Sequence, residues 1–158
     1  MRKIPAAMIL VLCISVIAHA RQDEPADRVQ VRGMFGTAVF IESEPHNVYG
    51  AMIDFRLVKG LRVGPEVLYH IGPGQDRDIT STILLSYDFR RLKRVTPFIT
   101  GGAGLLHHKY GRSTWNGVTA GFGGGVKIGI SRNFFVAPEI RAGWDPIGRA
   151  MVSIGYRF

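Results

Sequence analysis

From residue 29 onward, apolar and polar residues alternate along the chain, broken at short intervals by turn-forming clusters. Side chains on an extended strand point to opposite faces with a period of two, so this alternation predicts half-buried β-strands. Eight segments can be drawn: 29–41, 48–58, 61–71, 79–89, 96–107, 118–130, 134–144 and 149–158. The stretches between them are rich in Gly, Pro, Asn, Asp or charge, as turns require. In the second segment Tyr49, Ala51, Ile53, Phe55 and Leu57 share one face against Gly50, Met52, Asp54 and Arg56. In the eighth, Ala150, Val152, Ile154, Tyr156 and Phe158 oppose Arg149, Met151, Ser153, Gly155 and Arg157. The first and fifth segments alternate less cleanly, and the phase around Gly101-Gly102-Ala103-Gly104 is open. No window beyond Val29 keeps a helical period, and the 20 glycines, all after Arg32, would weaken any helix.

An even number of up-and-down strands can close into a barrel with both termini at one end. With the termini in the periplasm, the short turns 59–60 and 131–133 also lie there, and loops 42–47, 72–78 and 109–117 lie outside. Those loops are only modestly longer, so the barrel is expected to protrude little. The aromatics map to two levels. Tyr49, Tyr69, Tyr110, Trp115 and Trp144 fall near one end, and Phe55, Tyr87, Phe89, Phe98, Phe134, Tyr156 and Phe158 near the other. Aromatic girdles mark the two interfaces of a membrane barrel. A short repeat, Val63-Gly-Pro-Glu-Val67 and Val136-Ala-Pro-Glu-Ile140, places Pro65 and Pro138 outward and Glu66 and Glu139 inward. Proline has no ladder donor, so its recurrence is unusual in a strand; a local bulge is one explanation and a chance match another.

The N-terminus reads as a secretory signal: basic Arg2 and Lys3, apolar 4–17, then Ala18-His19-Ala20 and polar 21–24. The apolar stretch is shorter than a membrane span needs, so cleavage after Ala20 is expected. This divides the chain into a signal peptide at 1–20, a short polar segment at 21–27 and a barrel domain at 28–158. Cys13, preceded by Leu12, lacks the small neighbour of a lipidation site and leaves with the signal, so no disulfide is expected. Hydrophobic residues make up 46% of the chain and mean hydropathy is +0.11, high for a sequence with no long apolar run after Ala20. The formal charge is +8; without Arg2 and Lys3, 18 basic residues face 12 acidic ones, leaving +6. Such an excess solvates turns, lines an interior, or attracts anionic headgroups.

Inward-facing charges form the first candidate site: Asp54, Arg56, Arg62, Glu66, Asp88, Lys127, Glu139 and Arg141, with Arg149 and Arg157 beside them. The interior of an eight-stranded barrel is just wide enough for side chains, and charges held there must pair. A lumen plugged by ion pairs is expected; a narrow, anion-preferring conductance is the alternative. Basic Arg77, Lys109 and Arg112 in the outer loops are candidate lipopolysaccharide contacts. The Gly-rich runs 101–104 and 121–125 precede no helix and so do not read as phosphate cradles. His107, His108, Ser113 and Glu139 are the sole seeds of a hydrolytic group, but a base must share a strand face with its nucleophile and here the nearest Ser is in the next loop. Adjacent histidines point to opposite faces and need further ligands to hold an ion. No catalytic, cofactor or metal site is therefore expected, and no nucleic-acid partner.

The export signal, the eight segments, the aromatic last strand and the phrase Thr96-Pro-Phe-Ile-Thr-Gly-Gly-Ala-Gly-Leu105 resemble the small outer-membrane β-barrels of Gram-negative bacteria, of the OmpA-transmembrane-domain and OmpX type. The resemblance covers nearly all of the expected mature chain, residues 21–158. It implies passage through the periplasm with chaperones and insertion by the barrel-assembly machinery. Ala150, Val152, Ile154, Tyr156 and Phe158 match that family's C-terminal assembly signal. It also implies a monomer among outer-membrane lipid and lipopolysaccharide. The family's long adhesive loops have no counterpart here. The expected fold is all-β, an eight-stranded antiparallel up-and-down transmembrane β-barrel preceded by a cleavable signal peptide. The expected role is structural or surface-interacting, at the bacterial outer membrane. Two other classes stay open. A soluble lipocalin-like barrel would turn the apolar face inward, and a lipid A-modifying barrel would carry catalytic residues at its rim.

Overall fold

The computed structural model describes residues 28–40 and 44–158. The signal segment, with Ala18 and Ala20, and the polar stretch 21–27 lie outside the described residues. Eight strands follow one another: β1 Val29–Val39, β2 His46–Val58, β3 Leu61–Ile71, β4 Asp76–Asp88, β5 Val95–Tyr110, β6 Ser113–Gly129, β7 Phe134–Trp144 and β8 Gly148–Arg157. Each pairs antiparallel with its sequence neighbour, and β8 returns to β1 from Gln30↔Arg157 to Val39↔Gly148, closing the barrel. Closure leaves no unpaired sheet edge around the wall. Both described chain ends lie at one rim, here the terminal rim; the β1–β2, β3–β4, β5–β6 and β7–β8 connections lie at the opposite, far rim.

Alternation translates directly into burial. Along β2, His46, Val48, Met52 and Asp54 are buried while Tyr49, Ile53 and Phe55 are exposed. The buried set faces the barrel interior, so the apolar face is the outer one. Ile83, Val118, Phe122 and Ile140 are 58%, 69%, 70% and 71% exposed, far more than a water-facing surface tolerates in a continuous band. The aromatic levels hold on this surface, with Tyr49, Tyr69, Tyr110, Trp115 and Trp144 exposed toward the far rim. Phe134, Tyr156 and Phe158 stack edge to face at the terminal rim, with centroids 4.9 and 4.8 Å apart.

Several expectations change. Phe98 is inside, not in the outer girdle. It is buried with Thr96 and Thr100 on the inner face of β5, and the Lys127 ammonium lies 5.3 Å from its ring centroid. This fixes the phase of β5, where the glycine run offered no side chains to read. The phase of β1 resolves likewise, with Gln30, Arg32, Met34 and Ala38 inward and Val31 and Phe35 outward. Neither proline makes a bulge. On the β2 side of β3 the ladder keeps its register from Met52↔Glu66 to Phe55↔Val63 and omits only the pairs at Pro65. On the β6 side of β7 it likewise runs from Gly125↔Glu139 to Ile128↔Val136 across Pro138. A missing donor costs ladder bonds without demanding an extra residue.

The far rim is also taller than expected. Asp76 and Asp78 belong to β4 rather than to a loop, and β5 and β6 continue to Tyr110 and Ser113 around a tight turn at Gly111-Arg112. Gly111 has φ 58°, a left-handed turn conformation that suits glycine. Pairing between β6 and β7 begins only at Ala120↔Trp144, so residues 113–119 rise beyond the neighbouring strand. On the other side β4 follows β5 to its end at Asp76↔Tyr110, so the extension is a three-stranded ribbon open only toward β7, and polar turn-like composition concealed it.

Candidate functional site

Two groups of charged side chains occupy the interior. Along β2 the inward residues run His46, Val48, Gly50, Met52, Asp54, and along β3 His70, Leu68, Glu66, Gly64, Arg62. Buried Val48, Leu68, Met52, Met34, Leu84, Leu106 and Met151 form one apolar cluster. It separates a cluster at the far rim from a longer chain of ions below.

The lower group is a continuous alternation of base and acid. Arg149 lies 3.8 Å from Glu66. Arg141 Nη1 donates to both Glu66 oxygens at 2.8 Å, and its Nη2 donates to Glu139 at 2.7 Å. Glu139 lies 3.6 Å from Arg32, whose Nε is 3.4 Å from Asp54. Asp54 accepts from Arg62 at 3.0 Å, Arg62 approaches Asp88 at 3.4 Å, and Lys127 closes the series 2.7 Å from Asp88. Lys127 also donates to the Gln30 side-chain oxygen at 3.1 Å. These members come from seven strands, and all but Asp88 are buried. Charges this far from water persist only when each faces an opposite one.

Space for these long side chains comes from glycine. A Cβ at Gly123 would stand 2.1 Å from the Ile140 carbonyl oxygen and at Gly125 2.1 Å from that of Pro138. The wall there packs backbone to backbone, opposite the bulky Arg141 and Glu139.

The upper group sits where the lumen meets the far rim. His46 opens β2, Asp76 and Asp78 open β4, and His108 lies near the end of β5. His46 Nε2 is 3.1 Å from Asp76 Oδ2 and 3.5 Å from Asp78 Oδ2. His108 Nδ1 is 2.5 Å from Asp78 Oδ1 and 3.6 Å from Asp76 Oδ1. His46 Nδ1 donates to the Glu44 carbonyl at 2.8 Å. Phe40 packs against His46 and His70, with centroid separations of 4.7 and 5.4 Å, and His70 Nε2 meets Thr80 Oγ1 at 3.2 Å.

Of the charges expected inside, Asp54, Arg62, Glu66, Asp88, Lys127, Glu139 and Arg141 all join the lower chain. Arg56 and Arg157 are half-buried at the terminal rim, where the Arg157 guanidinium covers the Phe135 ring at 4.7 Å. Sequence reasoning missed Gln30 and Arg32, because the first strand's phase was unclear; it weighed His108 but missed His46, Asp76 and Asp78 beside it, because 42–47 and 72–78 read as loops. The residues considered for hydrolysis stand apart: His107 faces outward and bonds Asn116 at 2.6 Å, Ser113 is exposed at the hairpin tip, and Glu139 is deep in the ion chain. Arg77 and Lys109 are directly opposed across β4 and β5, with Arg112 at the adjoining turn. Arg77 donates to the carbonyls of Gly72 and Asp76 at 3.1 and 2.6 Å; Lys109 and Arg112 are exposed.

No protein-family model matches the sequence, and no curated protein matches it. Solved structures do share the fold. The N-terminal β-barrel domain of Pseudomonas aeruginosa OprF aligns with TM-score 0.65 at 17% identity, over 85% of this chain and 100% of that domain. Neisserial surface protein A aligns with TM-score 0.69 at 15% identity, over 85% and 100%. The Yersinia pestis outer membrane protein Ail aligns with TM-score 0.54 at 14% identity, over 83% and 99%. The similarity is that of an eight-stranded closed antiparallel barrel.

Proposed function

We propose that this chain is a bacterial outer-membrane β-barrel with a structural or surface-interaction role, its lumen plugged by the ion chain rather than open to solutes. The observation that carries the reading is the inversion of polarity. Aliphatic and aromatic side chains cover the outside between two aromatic levels, while arginine, lysine, aspartate and glutamate lie within. Hydrocarbon solvates such a surface, and water does not. A lipocalin-like barrel would have the opposite arrangement. The outer-membrane protein named among the fold's neighbours supports the same location.

The surface role rests on Arg77, Lys109 and Arg112. Two like charges directly opposed on a sheet destabilise each other, and an anionic group between them removes the repulsion. Phosphates of the lipopolysaccharide leaflet are the proposed partners, with the barrel-assembly machinery acting through Ala150, Val152, Ile154, Tyr156 and Phe158 during insertion. Periplasmic chaperones would deliver the chain, and it works as a monomer without catalysis.

Membrane fractionation with gel mobility of unheated and boiled samples tests the location. The protein is expected in the outer membrane with heat-dependent mobility; recovery from periplasmic extract without detergent would reject the reading. In planar bilayers the folded protein should give no conductance steps.

A further inference from the structure

We infer that His46, Asp76, Asp78 and His108 form a binding site for one divalent transition-metal ion, of the zinc type, at the far mouth of the barrel. Among the described residues, His46, Asp76 and Asp78 bring ligand atoms within 4.8 Å of one another, and all three are buried. His108 adds a second imidazole.

The hydrogen bonding prepares the site. A carbonyl oxygen only accepts, so the Glu44 carbonyl fixes the proton on His46 Nδ1. Nε2 points at two carboxylates, 3.1 and 3.5 Å away, and the proton it shares with Asp76 is the one an ion would displace. A histidine whose outer nitrogen is held by a backbone carbonyl is oriented as metal ligands are. Asp76 is only 8% exposed, yet its Oδ1 faces the cluster with no hydrogen-bond partner. Its nearest ion-pair partner is the His108 ring nitrogen at 3.6 Å, which leaves the oxygen open to a cation.

The spacing agrees. Ligand atoms on a tetrahedral zinc ion, with bonds of about 2.0–2.1 Å, stand about 3.3 Å apart. The 3.1 and 3.5 Å separations of His46 Nε2 from one oxygen of Asp76 and one of Asp78 match two such edges, and the ligand atoms of these three residues all lie within 4.8 Å of one another. The 2.5 Å approach of His108 to Asp78 is a hydrogen bond that must open to admit an ion. His108, about a third exposed, has room to move. Two imidazoles with two carboxylates suit zinc and its neighbours better than calcium or magnesium, which prefer all-oxygen cages. The bound ion would pin β2, β4 and β5 together and join His46 to Asp76 across a sequence separation of 30. This inference needs only the barrel and is independent of the role proposed above.

The test uses untagged protein purified from membranes in detergent and stripped with a chelator. Titration with Zn²⁺ should give one ion per chain, and Co²⁺ should give the intense visible absorption of a tetrahedral site. His46→Gln and Asp76→Asn should each weaken binding by more than about tenfold, while His107→Ala, on the outer face, should leave it unchanged. Ring resonances of His46 and His108 in the unaltered protein should shift with Zn²⁺, a readout that needs no variant to fold. Absence of stoichiometric binding overturns the inference. So do parent-like affinity in both His46→Gln and Asp76→Asn, or ring shifts confined to His107.

Discussion

Arg141 on β7 reaches across the barrel to Glu66 on β3, its Nη1 lying 2.8 Å from each carboxylate oxygen. The two strands lie on opposite walls of the closed sheet. One guanidinium therefore ties walls that share no backbone hydrogen bond, and through Glu139 it connects the whole chain of ions.

Removing that guanidinium leaves two carboxylates buried without their main partner. Arg141→Met is expected to destabilise the barrel by about 3–5 kcal/mol, read by urea unfolding in lipid vesicles. Adding Glu66→Gln should recover part of the loss, because the uncompensated charge goes with it. Equal stability of Arg141→Met and the parent would remove the ion chain from any account of the fold.

Ile83 stands near mid-height on the outer wall, opposite Pro65 and Ala103. Ile83→Arg should cost about 2–4 kcal/mol if hydrocarbon surrounds it. An exposed position on a water-facing surface would change by less than about 0.5 kcal/mol. Unfolding from vesicles therefore reports the solvent of this face directly, and a negligible change would speak for water.

Gly123→Ala would drive a methyl group into the Ile140 carbonyl and the Arg141 side chain. A folding-yield loss is expected, read as a smaller heat-modifiable gel fraction, with a stability cost of about 1–3 kcal/mol. Gly33→Ala, with nothing within 4 Å of the added carbon, should fold as the parent does. Similar behaviour of the two variants would contradict the close backbone packing at β6.

Neutralising Arg77, Lys109 and Arg112 together to glutamine should weaken lipopolysaccharide binding at least about tenfold. The parent's affinity should also fall as salt rises, because exposed charges are screened within about 10 Å at 0.1 M. Calorimetry with purified lipopolysaccharide checks both. Undiminished binding by the triple variant would dismiss these residues as the contact.

The sequence by itself determined the eight strands, their order and, wherever large side chains alternate, which residues share a face. Tyr49, Ile53 and Phe55 against Met52 and Asp54 needed no coordinates, because the period of the strand is built into the backbone. Alternation is symmetric between inside and outside, and it is silent where glycines carry no side chain. Only closure of the sheet therefore put Phe98, Gln30 and Arg32 indoors. Closure also chose the partners. The tilt and stagger of a closed barrel, not any spacing along the chain, bring Arg141 to Glu66 and set His46 against Asp76 and Asp78. Those meetings join residues that no local pattern couples, so the fold alone decided them.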